Sequence, residues 1–306
     1  MESNLLSTSF AGLELTNPTI LASGILGYSA QSLSRITKGG AGAVVTKSVG
    51  TEPRVGYSNP TVVQADSGLI NAMGLPNPGI DVYAEEIKFS KTILRVPVIV
   101  SVFGYSAEDY AVVAKKAIAA GADAVELNVS CPHVKQTGAE IGQSPKFLTE
   151  VVLQVKAAIN KPLIVKLSPN VADIAVLARA AVEAGADALT AVNTLKAMAI
   201  DSETMRPILS NSKGGLSGPA VKPVALRCVF DIHEALNDVP IIGCGGVTNW
   251  RDAIEFFLAG ASAVQIGTAV AENTEVFQTV TKGVATYLRK KHYGSIKEIV
   301  GLAHHK

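Results

Sequence analysis

Four copies of one short pattern constrain the fold of this chain more than any other feature. The copies are Gly40-Ala41-Gly42-Ala43-Val44, Gly121-Ala122-Asp123-Ala124-Val125, Gly185-Ala186-Asp187-Ala188-Leu189 and Gly260-Ala261-Ser262-Ala263-Val264. Each copy ends a helical pattern and opens an apolar run, and its glycine stands where a helix C-terminus favours a left-handed residue. Four helix-to-strand junctions of one type indicate a repeating α/β architecture.

Short runs of Val, Ile, Leu and Ala predict eight strands along the chain. Predicted strands one to eight are 19–22, 43–46, 98–102, 124–127, 163–167, 188–192, 240–243 and 263–266. Amphipathic stretches such as 107–119 and 172–183 predict helices between them. Eight strand-helix units favour a closed (β/α)8 TIM barrel. A doubly wound open sheet is the alternative, but the Gly-x-Gly-x-x-Gly turn that it needs after its first strand is missing.

The connections after predicted strands two, four and six are long, at 49–95, 130–145 and 195–222. Long structured connections in barrels of this kind form lids and substrate walls, so we expect these three to cover the active face. No Pro/Ser-rich or charged linker interrupts the sequence. We therefore expect one domain spanning residues 1–306.

Charge and cysteine usage exclude several function classes. The chain has 27 basic and 26 acidic residues, which leaves no basic footprint for nucleic acid or an anionic membrane. Its three cysteines are far apart and lack C-x-x-C spacing, so we expect no metal site or iron-sulfur cluster held by this chain alone. The absence of a long apolar window and of a signal sequence predicts a cytoplasmic protein with no membrane segment.

Polar residues follow the predicted strands at the ends where barrel enzymes build their active sites. Lys47, Asn128, Lys166 and Asn193 each end an apolar run, and buried lysines without a partner are costly. We therefore expect two lysines and two asparagines to face one mouth. The segments 243–246 and 267–268 are glycine-rich strand ends that predict a cradle for a phosphorylated ligand or cofactor.

A cysteine stands in the loop that follows predicted strand four, in the stretch Asn128-Val129-Ser130-Cys131-Pro132-His133. A thiol with a lowered pKa can act as a general base, and a lysine near a flavin's pyrimidine ring stabilises the reduced flavin. Together these residues describe a base facing a ligand that lies over a flavin.

The ordered motifs of the chain resemble those of class 1 dihydroorotate dehydrogenases over nearly its whole length. The motifs are Asn17-Pro18, Ala22 to Gly24, Thr46 to Ser48, Asn71 to Asn77, Asn128 to Pro132, Val165 to Asn170, Asn193-Thr194, Gly214 to Pro219, Gly245-Gly246 and Gln265 to Ala269. The resemblance implies oxidation of (S)-dihydroorotate to orotate in pyrimidine biosynthesis, with one FMN per chain.

The resemblance also implies site residues. It places FMN against Ser23, Lys47, Ser48, Asn128, Lys166, Val192, Gly218, Gly245, Gly246, Gly267 and Thr268. It places dihydroorotate against Lys47, Asn71, Ala72, Met73, Gly74, Leu75, Asn128, His133, Asn193 and Thr194. Cys131 would remove the C5 proton while hydride passes from C6 to flavin N5. The family usually has Asn at the position of His133, which leaves substrate contact and a surface position as alternatives for this histidine.

Class 1 membership implies a homodimer, but it leaves the electron acceptor open. Class 1A enzymes use fumarate, whereas class 1B enzymes pair with a subunit that carries FAD and an iron-sulfur cluster and pass electrons to NAD. The loop 134–138 favours class 1B. Two alternatives remain: a barrel like that of dihydropyrimidine dehydrogenase, acting on uracil-type rings, and a barrel that binds FMN or a phosphorylated metabolite without turnover.

The other cysteines and histidines have structural interpretations. Cys228 and His233 fall in the helical pattern 224–235, where burial is expected for the cysteine. Cys244 is expected to be a small packed residue between glycines. His304 and His305 are expected to form a solvated tail.

Overall fold

The computed structural model describes residues 5–129 and 141–305. Its strands are β1 (Thr8–Phe10), β2 (Leu13–Leu15), β3 (Thr19–Leu21), β4 (Ala43–Val45), β5 (Val62–Ala65), β6 (Gly68–Asn71), β7 (Val98–Val102), β8 (Ala124–Asn128), β9 (Leu163–Leu167), β10 (Ala188–Ala191), β11 (Leu195–Ala197), β12 (Ile200–Asp201), β13 (Arg206–Pro207), β14 (Gly214–Ser217), β15 (Ile241–Cys244) and β16 (Ala263–Ile266). Its helices are α1 (Ala30–Lys38), α2 (Ile80–Ile93), α3 (Ala107–Ala119), α4 (Pro145–Ala158), α5 (Ile174–Glu183), α6 (Lys222–Ala235), α7 (Trp250–Leu258), α8 (Ala269–Glu272) and α9 (Val276–Lys290).

Eight parallel strands close into a barrel surrounded by helices. The barrel strands are β3, β4, β7, β8, β9, β10, β15 and β16, and each pairs with the next one along the chain. The circle closes where β16 pairs with β3. The predicted strands match these within one residue at each end, so the predicted (β/α)8 barrel is confirmed.

The repeated Gly-Ala pattern joins each helix end to the strands beside it. Its glycines, Gly40, Gly121, Gly185 and Gly260, all have φ between 98° and 115°, which only glycine adopts without strain. In two copies the aspartate adds a link to the preceding strand. Asp123 Oδ2 accepts a hydrogen bond from Val98 N at 2.7 Å, and Asp187 Oδ2 accepts one from Leu163 N at 2.8 Å. The pattern therefore fixes both the helix end and the strand pairing.

Successive side chains of each barrel strand point to opposite faces, and this alternation produces two apolar layers. One set of side chains packs outward beneath the helices, including Val44, Val100, Leu127 and Val165. The other set points into the barrel, where it forms a dry floor. The floor residues are Ile20, Ala43, Val45, Ile99, Ala124, Ile164, Ala188, Ile242 and Ala263.

An N-terminal hairpin that the sequence did not predict closes the barrel beneath this floor. Strands β1 and β2 pair through a turn at Ala11 and Gly12, whose φ angles of 48° and 78° are those of a tight hairpin turn. Phe10, Leu13 and Leu15 pack on the floor residues. The opposite end of the barrel, at the carboxyl ends of the strands, is the mouth.

The connections after β4 and β10 form a cover beside the mouth. Strands β5 and β6 from the first, and β11 and β14 from the second, make a four-stranded antiparallel sheet in the order β11-β14-β6-β5. Asn71 pairs with Gly215 across the junction of the two connections. The long connections expected after predicted strands two and six thus meet in one structure. The connection after β8 contains residues outside the described ranges.

The C-terminal segment corrects one expectation about the histidines. His304 is half-buried, with its ring stacked on Phe230 at a centroid distance of 3.7 Å and its Nε2 3.1 Å from the Ala259 carbonyl oxygen. The prediction of a solvated tail is wrong for His304 because the chain folds back over α6. Cys228 is buried on that helix, as expected.

Within the described ranges, no helix combines the length and the apolar character needed to cross a membrane. The same ranges contain no group of three or more His, Cys, Asp or Glu side chains that could hold a metal ion.

Candidate active site

A cavity of about 350 Å³ lies at the barrel mouth, between the strand ends and the cover sheet. Every residue predicted to contact FMN lines it, together with six of the residues predicted to contact the substrate. The FMN set is Ser23, Lys47, Ser48, Asn128, Lys166, Val192, Gly218, Gly245, Gly246, Gly267 and Thr268, and the further substrate residues are Asn71, Met73, Gly74, Leu75, Asn193 and Thr194. The fold therefore gathers segments from the whole chain at one place.

Three predicted residues are not placed at this cavity. Ala72 packs with Ile70 and Leu209 in a small apolar cluster, and it does not line the cavity. Cys131 and His133 lie outside the described residues, as does the loop 134–138.

Sequence reasoning missed most of the apolar part of the lining. These residues are Ile25, Val62, Leu69, Leu216 and Val221. Three of them belong to the cover sheet, whose short strands carry little periodic signal in the sequence. Cys244 also lines the cavity, although the sequence favoured a packing role for it.

A chain of polar side chains crosses the mouth from β10 to β7. Asn193 Nδ2 donates to Asn128 Oδ1 at 3.0 Å, and Asn128 Nδ2 donates to Ser48 Oγ at 3.1 Å. The Ser48 and Ser101 hydroxyl oxygens are 2.8 Å apart. Because each amide is held by its neighbour, the two asparagines present donors and acceptors in a fixed orientation, which suits a planar imide or amide ligand.

Lys47 is a buried cation with no carboxylate among the described residues within ion-pair distance. It is 7% exposed, and its Nζ lies 5.5 Å from the centroid of the Tyr28 ring. Burial lowers the pKa of Lys47. A cation in this setting gains most from an anion that enters the cavity, since its own charge is only partly solvated.

Tyr28 connects Lys47 to the segment that follows β6. Its hydroxyl donates to the Pro76 carbonyl oxygen at 3.4 Å, while its ring faces the Lys47 ammonium. Tyr28 therefore links the predicted substrate lysine to the residue that follows the predicted substrate segment.

Lys166 lies deeper, at the centre of the barrel, and is 4% exposed. Its Nζ donates to Gln265 Oε1 at 2.7 Å and lies 3.6 Å from Glu126 Oε1. Unlike Lys47, it therefore has a carboxylate partner among the described residues.

Glycines form the other end of the cavity. Gly218, Gly245 and Gly246 have φ angles of 96°, 134° and 77°. A Cβ on Gly246 would lie 2.8 Å from Lys222 Cβ and 2.9 Å from the Gly218 carbonyl oxygen. Close packing and the positive φ angle therefore require glycine at this position. The backbone of the loop lines the cavity, where its N-H groups suit a phosphate group.

The segment after β15 is fixed by Asp252 at the start of α7. Asp252 Oδ2 accepts hydrogen bonds from Thr248 N at 2.9 Å and Asn249 N at 3.1 Å, and Oδ1 pairs with Lys222 Nζ at 2.7 Å. This carboxylate therefore holds the chain that leaves the glycine cradle. The phosphate of a mononucleotide cofactor fits these residues.

Comparisons with known proteins show the family and the fold of the chain. The family model described as dihydroorotate dehydrogenase matches residues 5–288. A Pyrococcus abyssi protein named dihydroorotate dehydrogenase B (NAD(+)), catalytic subunit, is 53% identical over 98% of this chain and 99% of its own length. A protein of the same name from Methanocella arvoryzae is 54% identical over 96% of each chain. A crystal structure of the Eimeria tenella enzyme DHODH in complex with ferulenol superposes with a TM-score of 0.85 at 23% identity, covering 98% of this chain and 89% of that one, which shows a shared fold.

Proposed function

The chain belongs to the dihydroorotate dehydrogenase family, and from that premise we propose that it oxidises (S)-dihydroorotate to orotate with FMN bound across the barrel mouth. One observation carries the proposal. Two buried lysines, two linked asparagines and a glycine cradle line a single cavity, although they come from six separate segments of the sequence. We also propose that residues 1–306 form one FMN-binding domain.

The FMN contacts proposed are those predicted from the sequence. The glycine cradle at Gly245 and Gly246 would hold the phosphate through backbone N-H groups, because the backbone of both residues lines the cavity. Lys166 would contact the flavin, and its ammonium would stabilise the charge of the reduced ring. Bound FMN would supply, at N5, the acceptor for the hydride from C6 of the substrate.

The substrate would lie between the flavin and the cover sheet. Lys47 would pair with its carboxylate, while Asn128, Asn193 and Asn71 would bind the polar atoms of the pyrimidine ring. Cys131 would take the proton from C5, so that the C5–C6 double bond forms as the hydride leaves. His133 would either contact the ring or face solvent.

Comparison of two substrates tests this assignment of Lys47. We expect dihydroorotate to bleach the bound flavin under anaerobic conditions and dihydrouracil, which lacks the carboxylate, to do so poorly. In Lys47→Met we expect orotate affinity to fall about 10- to 100-fold, since a charge-assisted hydrogen bond contributes about 1.5–3 kcal/mol. The control is Lys88→Met, at an exposed lysine paired with Glu85 on α2.

Equal turnover of the two substrates would instead support the dihydropyrimidine dehydrogenase type of activity. The buried Lys47, with no carboxylate partner among the described side chains, favours dihydroorotate over that alternative. A wild-type protein that binds FMN but is bleached by neither substrate would support a barrel that binds its ligand without turnover.

We further propose that electrons leave through a separate subunit. The relatives are named as catalytic subunits of an NAD(+) enzyme, and this chain lacks C-x-x-C spacing for a cluster of its own. The partner would carry FAD and an iron-sulfur cluster, bound to a homodimer of this chain. Purification from the native source should yield a second polypeptide and NAD-linked activity. A lone polypeptide that is fully active with fumarate would contradict this part of the proposal.

A further inference from the structure

A layer of polar side chains lies inside the barrel, between the apolar floor and the mouth. Its members are Ser101, Glu126, Lys166, Thr190 and Gln265, all at most 4% exposed. Each comes two residues after a floor residue on the same strand, so the alternation of the strands directs it into the barrel interior. Barrel interiors are normally filled by branched apolar side chains, and a buried polar layer therefore calls for an explanation.

Glu126 is the anion of this layer. Its Oε2 accepts hydrogen bonds from Gln265 Nε2 at 2.5 Å and from Thr190 Oγ1 at 2.9 Å. Its Oε1 accepts no hydrogen bond from the described residues and faces the Lys166 ammonium at 3.6 Å. The Gln265 amide joins the pair, because its nitrogen binds the acid and its oxygen binds the amine.

The geometry places Glu126 behind Lys166 as seen from the cavity. Lys166 lines the cavity wall, whereas Glu126 is fully buried and does not. A ligand in the mouth therefore meets the lysine first and the carboxylate only through it. Burial of an ammonium without a counterion would be costly, and removing one partner of a buried pair leaves the other uncompensated.

Geometry assigns the counterion of Lys166 to Glu126. Glu126 Oε1 lies 3.6 Å from the Lys166 ammonium, and the Gln265 amide bridges the two side chains. Burial by itself lowers the pKa of Lys166, but the neighbouring Cys244 and Glu126 shift it the other way, so the net direction is upward. Burial raises the pKa of the Cys244 thiol, which disfavours its anionic form.

We propose that Glu126 is a positioning residue that holds the Lys166 ammonium in the wall of the FMN cavity and lowers the reduction potential of bound flavin by offsetting part of that positive charge. The inference rests on the proposed function, since it needs FMN in the mouth. Reduction adds electrons and negative charge to the flavin ring, so an uncompensated Lys166 would stabilise the reduced form more strongly. Glu126 therefore limits how firmly the enzyme retains the electrons that it must pass on.

Substitution Glu126→Gln tests this role, because it removes the charge while keeping the size of the side chain. We expect the affinity for reduced FMN, relative to oxidised FMN, to increase about tenfold, which for a two-electron couple is a rise of about 30 mV in midpoint potential. The matched control is Thr190→Val, which removes a hydrogen bond to the same carboxylate without changing the charge of the layer. The control should shift the affinity ratio less than twofold. A shift below twofold, or a fall in potential, for Glu126→Gln would overturn the inference.

A second pair of variants applies if Glu126→Gln does not fold. Lys166→Gln and the double variant Lys166→Gln/Glu126→Gln differ only in the carboxylate, and the double variant leaves no unpaired charge in the layer. Because the lone buried carboxylate of Lys166→Gln takes up a proton more readily, the potentials are compared at the highest pH at which both variants stay folded. There we expect the double variant to have the higher flavin potential, and equal potentials would overturn the inference.

The state of the wild-type protein separates the two proposals. Wild-type protein that binds no FMN would refute both the proposed function and the inference that depends on it. Wild-type protein that is bleached by dihydroorotate, with no difference in potential between the wild type and Glu126→Gln, would refute the inference alone.

Discussion

Gly246→Ala should weaken FMN binding through the glycine cradle without disturbing the rest of the barrel. The residue has a φ of 77°, and an L side chain in the left-handed region costs about 1–2 kcal/mol. The new Cβ would also lie 2.8 Å from Lys222 Cβ and 2.9 Å from the Gly218 carbonyl oxygen, so the loop must move away from its present position. FMN binding must then bring the displaced loop back into the strained position, so the strain counts against binding. Since about 1.4 kcal/mol corresponds to tenfold, we expect the Kd for FMN to rise at least about tenfold.

The control for this substitution is Gly12→Ala in the β1–β2 turn. Gly12 has an almost identical φ of 78°, but no atom lies within 4 Å of the added Cβ, and the residue is at the opposite end of the barrel. It should lower Tm by a few degrees through backbone strain and leave the Kd for FMN unchanged. Titration of apo-protein into FMN, followed by flavin fluorescence, measures the Kd for FMN of each variant. The cradle would be refuted as the phosphate site if the Kd for FMN of Gly246→Ala stays within threefold of wild type while Gly12→Ala shows the expected loss of Tm.

Four further predictions concern the mouth and its supports. Because burial lowers the pKa of Lys47, orotate affinity should fall with rising pH earlier than for an exposed lysine, and titration of Lys47→Met should show no such decline. Tyr28→Phe should raise the KM for dihydroorotate a few-fold, because it removes the hydrogen bond to the segment after β6. Tyr28→Ala should raise the KM further, because Lys47 also loses its aromatic contact. If Tyr28 has no such role, steady-state kinetics would give both variants the KM of the wild type. Asp123→Ala should destabilise the fold by about 1–3 kcal/mol in denaturant unfolding, because it removes the acceptor of a strand N-H, while FMN affinity stays constant. His133→Asn should change the pH-rate profile and KM if the imidazole contacts the substrate, and an unchanged profile and KM would assign it to the surface.

Much of the fold follows from local sequence patterns. The barrel strands are runs of apolar residues bounded by glycine and polar residues, so their limits were predictable within one residue from the sequence. The left-handed glycines of the repeat, such as Gly121 and Gly185, mark the same junctions in both sequence and structure. Because barrel active sites form at one end of the strands, the predicted strand ends also located the lysines and asparagines of the mouth.

The parts that were missed depend on contacts between distant residues. The hairpin β1–β2 has three-residue strands, too short for a periodic signal, and it is stabilised by the barrel floor. The cover sheet pairs β6 with β14, so that Asn71 meets Gly215 across 144 residues of sequence. The C-terminal His304 looked solvated because its stacking partner, Phe230, lies on a helix far along the chain.

The polar layer inside the barrel shows the same limit. Glu126 stands in an apolar strand, and nothing in its local sequence indicates a partner. Gln265, which binds its carboxylate, is 139 residues away, and the Lys166–Gln265 bond spans 99 residues. Only closure of the barrel brings these side chains together.

One anaerobic titration tests the central claim most directly. Purified wild-type protein, loaded with FMN, is mixed with dihydroorotate in the absence of any electron acceptor, while the flavin absorbance and the orotate formed are recorded together. The account predicts that the flavin is bleached with one orotate formed per flavin, and that Cys131→Ala protein, which lacks the proposed base, is bleached far more slowly. FMN that stays oxidised in the presence of saturating dihydroorotate would contradict it.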